Sequence, residues 1–219
     1  MIPRTLEPEV MDSDEEALTY DHMDHRDVNA RFVSDLLAVA PSARRVLDLG
    51  AGTALIPIEL ASRAQECLVT AVDLAPSMLR QGAHNVARAG LVGRISLVVA
   101  SASDLPYAAG DFDAVVSNSL VHHVPNPGAL FRSAARVAGG RATVFIRDLC
   151  RPDTEREVKA LVERYASGES EAARELFRAS LRASLTIEEV RDAVEGSGLS
   201  GASVTMTSDR HWTLVRAAS

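Results

Sequence analysis

A short glycine turn is the segment of this sequence with the clearest chemical potential. Val46-Leu47-Asp48-Leu49 is an apolar strand pattern that runs into Gly50-Ala51-Gly52 and then into a helix-like stretch. Glycines in such a turn let the backbone approach a ligand closely. A dinucleotide-binding turn would carry a third glycine near residue 55, where Leu55 stands. The acidic Asp48 favours a cationic ligand, and an ordinary tight turn is the alternative.

A second acidic side chain follows the next predicted strand. Asp73 comes directly after the apolar run 68–72 and stands 21 residues beyond Gly52. In α/β folds a carboxylate at this place binds the hydroxyl groups of a ribose. Asp73 also precedes a helix that Pro76 helps to start, so an N-cap role is the alternative. The spacing of the two motifs together favours ligand binding.

Histidines are the candidate proton acceptors of the chain. His122 and His123 follow the fourth predicted strand, and His22 and His25 have i, i+3 spacing on a predicted helix. Imidazole titrates near neutral pH, so His122 or His123 could act as a base or position an acceptor. Shaping the loop after the strand is the alternative. The two pairs are distant in sequence and match no metal-ligand spacing, so no metal site is predicted.

Arg147 and Asp148 end the fifth predicted strand. Open α/β sheets bind ligands at the carboxyl ends of their strands, which makes Arg147 or Asp148 a candidate for contact with a substrate. A salt-bridged strand end is the alternative for this pair.

These side chains require an alternating scaffold to bring them together. Short apolar runs, typical of strands covered on both faces, alternate with helical patterns and predict a parallel, doubly wound α/β sheet. The predicted strands are 45–49, 68–72, 95–99, 112–117 and 141–146, and the helices between them are 53–63, 76–89 and 127–137. Residues 11–39 and 153–183 are predicted to be helical, and 203–207 with 212–216 to form a terminal hairpin. Thr186 and Glu189 have the spacing of a capping box.

Composition excludes several classes of protein. The chain has 219 residues, of which 47% are hydrophobic and 24% charged, as in a globular protein with a substantial core. Its formal charge of −7 arises within residues 1–35, and the pI is near 5.4, which argues against nucleic-acid binding. Cys67 and Cys150 are predicted to be free thiols in a reducing cytoplasm. No apolar run reaches the length of a membrane span.

Several motifs together resemble those of the class I S-adenosylmethionine-dependent methyltransferases. The similarity is strongest to small-molecule enzymes of the ubiquinone/menaquinone C-methyltransferase kind, and it covers roughly residues 17–148. The motifs are Tyr20-Asp21-x-Met23, Asp48-Leu49-Gly50-Ala51-Gly52-Thr53, Val72-Asp73-Leu74-Ala75-Pro76-Ser77-Met78, Leu105-Pro106, Phe112-Asp113-Ala114-Val115-Val116-Ser117 and His122-His123-Val124-Pro125-Asn126-Pro127.

The resemblance implies a role for each matching residue. Asp48 would face the methionine ammonium of the cofactor, and Asp73 would hold the ribose hydroxyls. The family has an Asp-Ala pair at the adenine amino group, where this chain has Ser101-Ala102, with Asp104 three residues later. The other cofactor contacts would come from Tyr20, Gly50, Gly52, Leu74, Met78 and Asn118, and the acceptor contacts from His22, Met23 and Arg147.

The resemblance also implies a fold and a domain organisation. We expect one Rossmann-like domain over residues 1–219, with a mostly parallel seven-stranded sheet and a C-terminal antiparallel hairpin. Its parts are an N-terminal helical cap (1–40), a cofactor-binding core (41–148), a helical insertion that acts as a lid (149–185), and a C-terminal helix and hairpin (186–219).

The predicted activity is methyl transfer from S-adenosylmethionine to a small molecule, with S-adenosylhomocysteine as product. The acceptor atom, O, N, C or S, stays open. A regulatory or scaffolding protein that binds the cofactor without transferring its methyl group, or a protein methyltransferase, is the alternative. We expect no nucleic-acid or membrane partner, and a monomer or homodimer. Asp21 or Asp24 is predicted to face the acceptor.

Overall fold

The computed structural model describes residues 1–7, 12–23 and 25–218. Its strands are β1 Arg45–Leu49, β2 Leu68–Asp73, β3 Ile95–Val99, β4 Ala114–Asn118, β5 Thr143–Leu149, β6 Ser203–Met206 and β7 His211–Arg216. Its α-helices are α1 Asp14–His22, α2 Arg26–Val39, α3 Leu55–Arg63, α4 Pro76–Arg88, α5 Pro127–Ala138, α6 Glu155–Ala166, α7 Glu171–Ala183 and α8 Ile187–Val194. A short 3-10 helix, Val121–His123, follows β4.

The strands form one seven-stranded sheet in the order β3-β2-β1-β4-β5-β7-β6. The first five strands are parallel, and β7 runs antiparallel to both β5 and β6. The predicted doubly wound sheet with a C-terminal antiparallel hairpin is therefore confirmed. The strand order reverses between β1 and β4, and such a switch point opens a crevice at the carboxyl ends of the two strands.

Successive residues of the central strands pack into two different cores. Val46 packs in a cluster with Phe32 of α2 and Phe145 of β5. Leu47 packs in the opposite cluster, with α5, α8 and Trp212. Because both faces of the sheet are covered, its strands have continuous apolar runs rather than an alternating pattern.

The helical stretch predicted over 11–39 consists of two helices, α1 and α2. Met23 ends α1 and His25 precedes α2. Helix α2 buries Phe32 and Leu36 in the core, whereas α1 packs on α4 through polar side chains and Ala17. One straight helix could not satisfy both surfaces. Residues 8–11 and 24, which include part of the prediction, lie outside the described residues.

The predicted helical stretch 153–183 also consists of two helices. Thr154 caps α6 with a complete capping box, and Ser170 caps α7 by accepting from the Ala173 amide. A second capping signal within one helical pattern therefore marks a second helix. Among residues 1–7, 12–23 and 25–218, none of the helices combines the length and apolar character needed to cross a membrane.

The predicted capping box of α8 is confirmed. The Thr186 Oγ1 accepts from the Glu189 amide at 3.2 Å, and the Thr186 amide donates to the Glu189 carboxylate at 2.9 Å. The same carboxylate accepts from Arg151 at 2.6 Å, which connects the start of α8 to the segment after β5.

We expect Thr186→Ala to lower the free energy of unfolding by about 1 kcal/mol, because the Glu189 amide loses its capping acceptor. Thr186→Ser keeps the hydroxyl group and should lose less. Urea denaturation followed by circular dichroism measures both variants. Equal losses in the two would contradict a capping role for the hydroxyl.

Candidate functional site

The turn between β1 and α3 is fixed to the end of β2. The backbone amides of Gly50 and Ala51 both donate to the Val72 carbonyl, at 2.8 and 3.0 Å. Gly50 has φ +69°, a conformation that side chains with a Cβ rarely adopt. A Cβ at Gly50 would also lie 2.7 Å from Leu120 Cδ1. The turn therefore needs glycine both for its backbone conformation and for the close approach of Leu120.

Asp48 is a buried carboxylate with unused hydrogen-bonding capacity. It is 2% exposed, and its Oδ2 has no hydrogen-bond partner in the part of the chain that the structure describes. Burial, followed by the negative charge of Asp73, raises the pKa of Asp48 to about 8. A cation placed beside this carboxylate would reverse both effects.

Two further polar atoms near this edge of the sheet lack partners among the described residues. They are Thr53 Oγ1, in the turn after β1, and Asn118 Oδ1, at the end of β4. Because β1 and β4 pair in parallel, with Leu49 opposite Ser117, these atoms belong to the same carboxyl-terminal edge as Asp48. Buried polar atoms are ordinarily hydrogen-bonded, so unpartnered ones at one edge indicate a binding site for a polar ligand.

Asp73 joins the glycine turn to the start of α4. Its Oδ2 accepts from the Gly52 amide at 2.8 Å, and its Oδ1 accepts from the Ala75 amide at 2.9 Å. Asp73 therefore both contacts the start of α4, as an N-cap residue would, and lies beside the glycine turn. An ionised carboxylate has about four lone-pair positions, so each oxygen keeps capacity for a hydroxyl donor.

Tyr20 lies over the glycine turn. Its Cε1 is 3.7 Å from the position that a Cβ at Gly52 would take, and its ring contacts His25 with centroids 4.6 Å apart. Burial, with the nearby charges of Asp73 and Asp48, raises the pKa of the Tyr20 hydroxyl to about 12. The tyrosine is neutral in the physiological range and can donate a hydrogen bond there.

The acidic N-terminal segment docks α1 onto α4. Asp12 accepts from the Ser77 amide and hydroxyl, at 3.1 and 2.8 Å, and so caps α4 from a distant part of the chain. Asp21 accepts from Gln81 at 2.9 Å and from Asn85 at 2.6 Å. The expectation that Asp21 faces the acceptor is therefore wrong, because its carboxylate is bound to α4. Asp24 lies outside the described residues.

The residues expected to contact the adenine differ in their exposure to solvent. Leu74 is 57% exposed, whereas Met78 is buried against Ala17 of α1 and Ala75. Ser101 and Ala102 follow the neighbouring strand, β3. The Ser101 Oγ accepts from the Ser103 amide at 3.2 Å, and Ala102 packs on the core.

His122 forms a buried pair with Asp148. Its Nδ1 lies 2.6 Å from Asp148 Oδ1, and its backbone amide donates to Oδ2 at 3.1 Å. Burial alone would lower the pKa of His122, but the Asp148 carboxylate outweighs that effect and raises it. The strand-end position of Asp148 suggests contact with an acceptor, whereas in the structure its carboxylate orients His122.

His123 pairs with an acid from the beginning of the chain. His123 Nδ1 lies 2.5 Å from Glu7 Oε2, and the rings of His122 and His123 lie 4.0 Å apart. Burial would raise the pKa of Glu7, but the hydrogen bonds from His123 and Ser180 outweigh it and lower the pKa to about 2. No local sequence pattern points to Glu7, because it meets His123 only in the folded chain.

Arg147 is predicted to contact a substrate, but its side chain is bound to other residues of the protein. The side chain is 7% exposed and donates to Asp35 at 2.8 Å and to Thr213 at 2.9 Å. Its guanidinium also lies over the rings of Phe32 and Phe145. The alternative of a salt-bridged strand end describes this arginine, because its hydrogen-bond donors are engaged beneath α2. Of the other candidate acceptor contacts at the end of α1, His22 is exposed and Met23 is half-buried.

Parts of the chain are similar to known methyltransferases. Residues 46–139 match a family described as a methyltransferase domain. The chain is 38% identical over 110 residues to the malonyl-[acyl-carrier protein] O-methyltransferase of Geobacter sulfurreducens, covering 50% of this chain and 40% of that protein. It is 36% identical over 104 residues to the ubiquinone/menaquinone biosynthesis C-methyltransferase UbiE of Sinorhizobium fredii, covering 46% and 40%. The match thus spans less than half the length of each relative.

The fold is similar to that of a SAM dependent methyltransferase from Aquifex aeolicus. The TM-score is 0.67 at 15% identity, and the similarity covers 93% of this chain and 97% of the other. The resemblance that the motifs indicated is confirmed by the matched family and by this fold. Residues 46–139 are therefore similar to a methyltransferase domain, and the chain has the fold of the class I S-adenosylmethionine-dependent methyltransferases.

Proposed function

We propose that this protein transfers the methyl group of S-adenosylmethionine to a small-molecule acceptor. The observation that carries the proposal is the buried Asp48 carboxylate, whose Oδ2 has no partner among the described residues. An uncompensated buried charge is costly, and an ammonium group would compensate it. The methionine portion of the cofactor carries such a group, and Asp48 stands at the motif position that binds it in the family.

Ten residues are proposed to hold the cofactor. Asp48 binds the ammonium group, and Asp73 accepts from the ribose hydroxyls with the lone pairs that the Gly52 and Ala75 amides leave. Gly50 and Gly52 permit close approach of the backbone. The remaining contacts are assigned to Tyr20, Leu74, Met78, Ser101, Ala102 and Asn118.

The chemistry asks little of the protein beyond positioning. When bound, S-adenosylmethionine supplies a methyl group on a positively charged sulfur, which is already electrophilic. The side chains must align the acceptor and exclude water, and Tyr20 with α1 covers the turn for that purpose. His122 and His123 are proposed to position the acceptor or take its proton, and His22 with Met23 to contact it.

The acceptor is proposed to be small, in line with the name of the relative that acts in ubiquinone/menaquinone biosynthesis. The net charge of −7 opposes a nucleic-acid substrate. Two free cysteines suit a reducing cytoplasm, where we place the reaction, with the protein as a monomer or homodimer.

An acceptor panel tests the activity itself. Purified protein would be incubated with S-adenosylmethionine and with malonyl thioesters, quinols or phenols, and S-adenosylhomocysteine would be measured by mass spectrometry. Formation of product that depends on one acceptor class is the expected result. Cofactor binding without product across the panel would instead favour a regulatory or scaffolding protein.

Asp73→Asn should weaken binding of S-adenosylhomocysteine by about 10-fold to 100-fold, because hydrogen bonds from hydroxyls to a carboxylate are stronger than those to an amide. Isothermal titration calorimetry measures the affinity. Glu66→Gln is the matched control, since this exposed acid precedes β2 at the opposite end of the strand and pairs with Arg44. Unchanged affinity in a folded Asp73→Asn variant would refute the ribose contact.

Affinity for S-adenosylhomocysteine should be greatest near pH 8. In the protein without ligand, burial and then the charge of Asp73 raise the pKa of Asp48 to about 8. Pairing with the ammonium group of a bound ligand would favour the ionised form of this carboxylate. Binding below pH 8 therefore releases a proton, and affinity rises by up to about tenfold per pH unit toward pH 8. At still higher pH the α-amino group of the ligand loses its charge, and affinity falls.

Calorimetry between pH 6 and 9, in buffers of different ionisation enthalpy, measures both the affinity and the protons released. Asp48→Asn should abolish the proton release and flatten the rise below pH 8. A wild-type affinity that is constant over this range would contradict the assignment of Asp48 to the ammonium group.

A further inference from the structure

Three side chains that can ligate a metal meet from two distant segments of the chain. One donor atom from each of Glu7, His122 and His123 lies within 4.8 Å of the other two. We call these residues the Glu7–His122–His123 cluster. The 3-10 helix that carries the histidines begins directly after Leu120, which contacts Gly50. The two histidines of the cluster are therefore close in sequence to Leu120, which packs on the glycine turn.

We propose that the Glu7–His122–His123 cluster binds a divalent transition-metal ion, with Zn²⁺ and Fe²⁺ as the ions that its ligand set suits. Two imidazoles and one carboxylate form a three-ligand site that leaves coordination positions open for water or a substrate oxygen. The sequence spacing predicts no metal site, because the third ligand comes from the N-terminal segment.

The imidazole of His122 is oriented as in a metal site. Its Nδ1 is engaged by Asp148, so Nε2 is the atom left to ligate a metal. The two oxygens of Asp148 are held in turn by the backbone amides of His122 and Leu149. A carboxylate bound to the far nitrogen of a ligating histidine is the usual outer support of such sites.

The carboxylate of Glu7 is supported in the same way. Its Oε1 accepts from the Ser180 hydroxyl at 2.7 Å, which leaves Oε2 directed to His123. Ligand atoms around a tetrahedral ion with bonds of about 2.1 Å are about 3.4 Å apart. An ion would replace the proton shared by Glu7 and His123 and lengthen their 2.5 Å separation by about 1 Å.

The charges around the cluster favour a cation. Glu7 and Asp148 bring two carboxylates, and Arg4 brings one positive charge. The Arg4 guanidinium donates to the backbone carbonyls of His122 and Val124, at 3.2 and 3.1 Å, and to that of Ala183. It thus anchors the N-terminal segment that supplies Glu7 and occupies no ligand atom.

A bound ion would polarise an acceptor oxygen and lower its pKa, so that the histidines would act through the metal rather than as free bases. This role rests on the proposed methyl transfer. Metal binding itself does not, because it can be measured without cofactor or acceptor.

Cobalt titration of the full chain tests the proposal. Protein treated with chelator and then dialysed would be titrated with Co²⁺ and followed by visible absorption, with Zn²⁺ titrated by calorimetry. We expect one equivalent to bind and to produce ligand-field bands. His123→Ala and Glu7→Gln should each weaken binding at least about 10-fold, and Asp148→Asn should weaken it by a similar factor through the orientation of His122.

Matched controls are His84→Ala and Glu169→Gln, both at exposed positions on other helices or loops, and both should bind as the wild type does. Circular dichroism verifies that each variant is folded. Absence of binding in the wild type, or binding by Glu7→Gln with wild-type affinity, would overturn the proposal. Binding of S-adenosylhomocysteine, measured in chelator on the same samples, reports on the proposed function separately.

Discussion

Burial of the Asp48 carboxylate at the end of β1 constrains the carboxyl-terminal edge of the sheet, where the glycine turn lies. Desolvation favours its neutral form, and the Asp73 carboxylate adds to that effect because β2 lies beside β1. The glycine turn keeps the two acids close, since the Gly52 amide donates to Asp73. Because the pKa of Asp48 is raised to about 8, holding this acid there lowers the free energy of unfolding at any pH above the ordinary pKa of a carboxyl group.

The acidic N-terminal segment has a positioning role in this arrangement. Asp12 caps α4 through Ser77, and Asp21 binds the amides of Gln81 and Asn85. An exposed ion pair such as Asp14 with Arg80 contributes little by comparison. These contacts hold α1 against α4 and so keep the Tyr20 ring over the turn. Part of the acidic charge that argues against nucleic-acid binding thus packs α1 against α4.

Much of the fold could be predicted because its signals are local. The bounds of β1 and β3 match the apolar runs, and the Thr186 capping box depends on residues three positions apart. The break between α1 and α2 could not be predicted, because it arises from the different surfaces on which the two helices pack. Arg147 follows the same logic. A strand-end arginine suits either a ligand or a salt bridge, and only the position of Asp35 on α2 decides between them.

The sequence by itself determined the strand and helix order, the glycine turn and the acids at the ends of β1 and β2. These features depend on burial and backbone conformation within short βα units, which local patterns encode. Only the tertiary structure decided which side chains meet across the fold. It left Asp48 Oδ2 without a hydrogen-bond partner among the described residues, engaged Asp21 with α4, and brought Glu7 to His123. Such contacts depend on how separate elements pack, and no spacing along the chain records that.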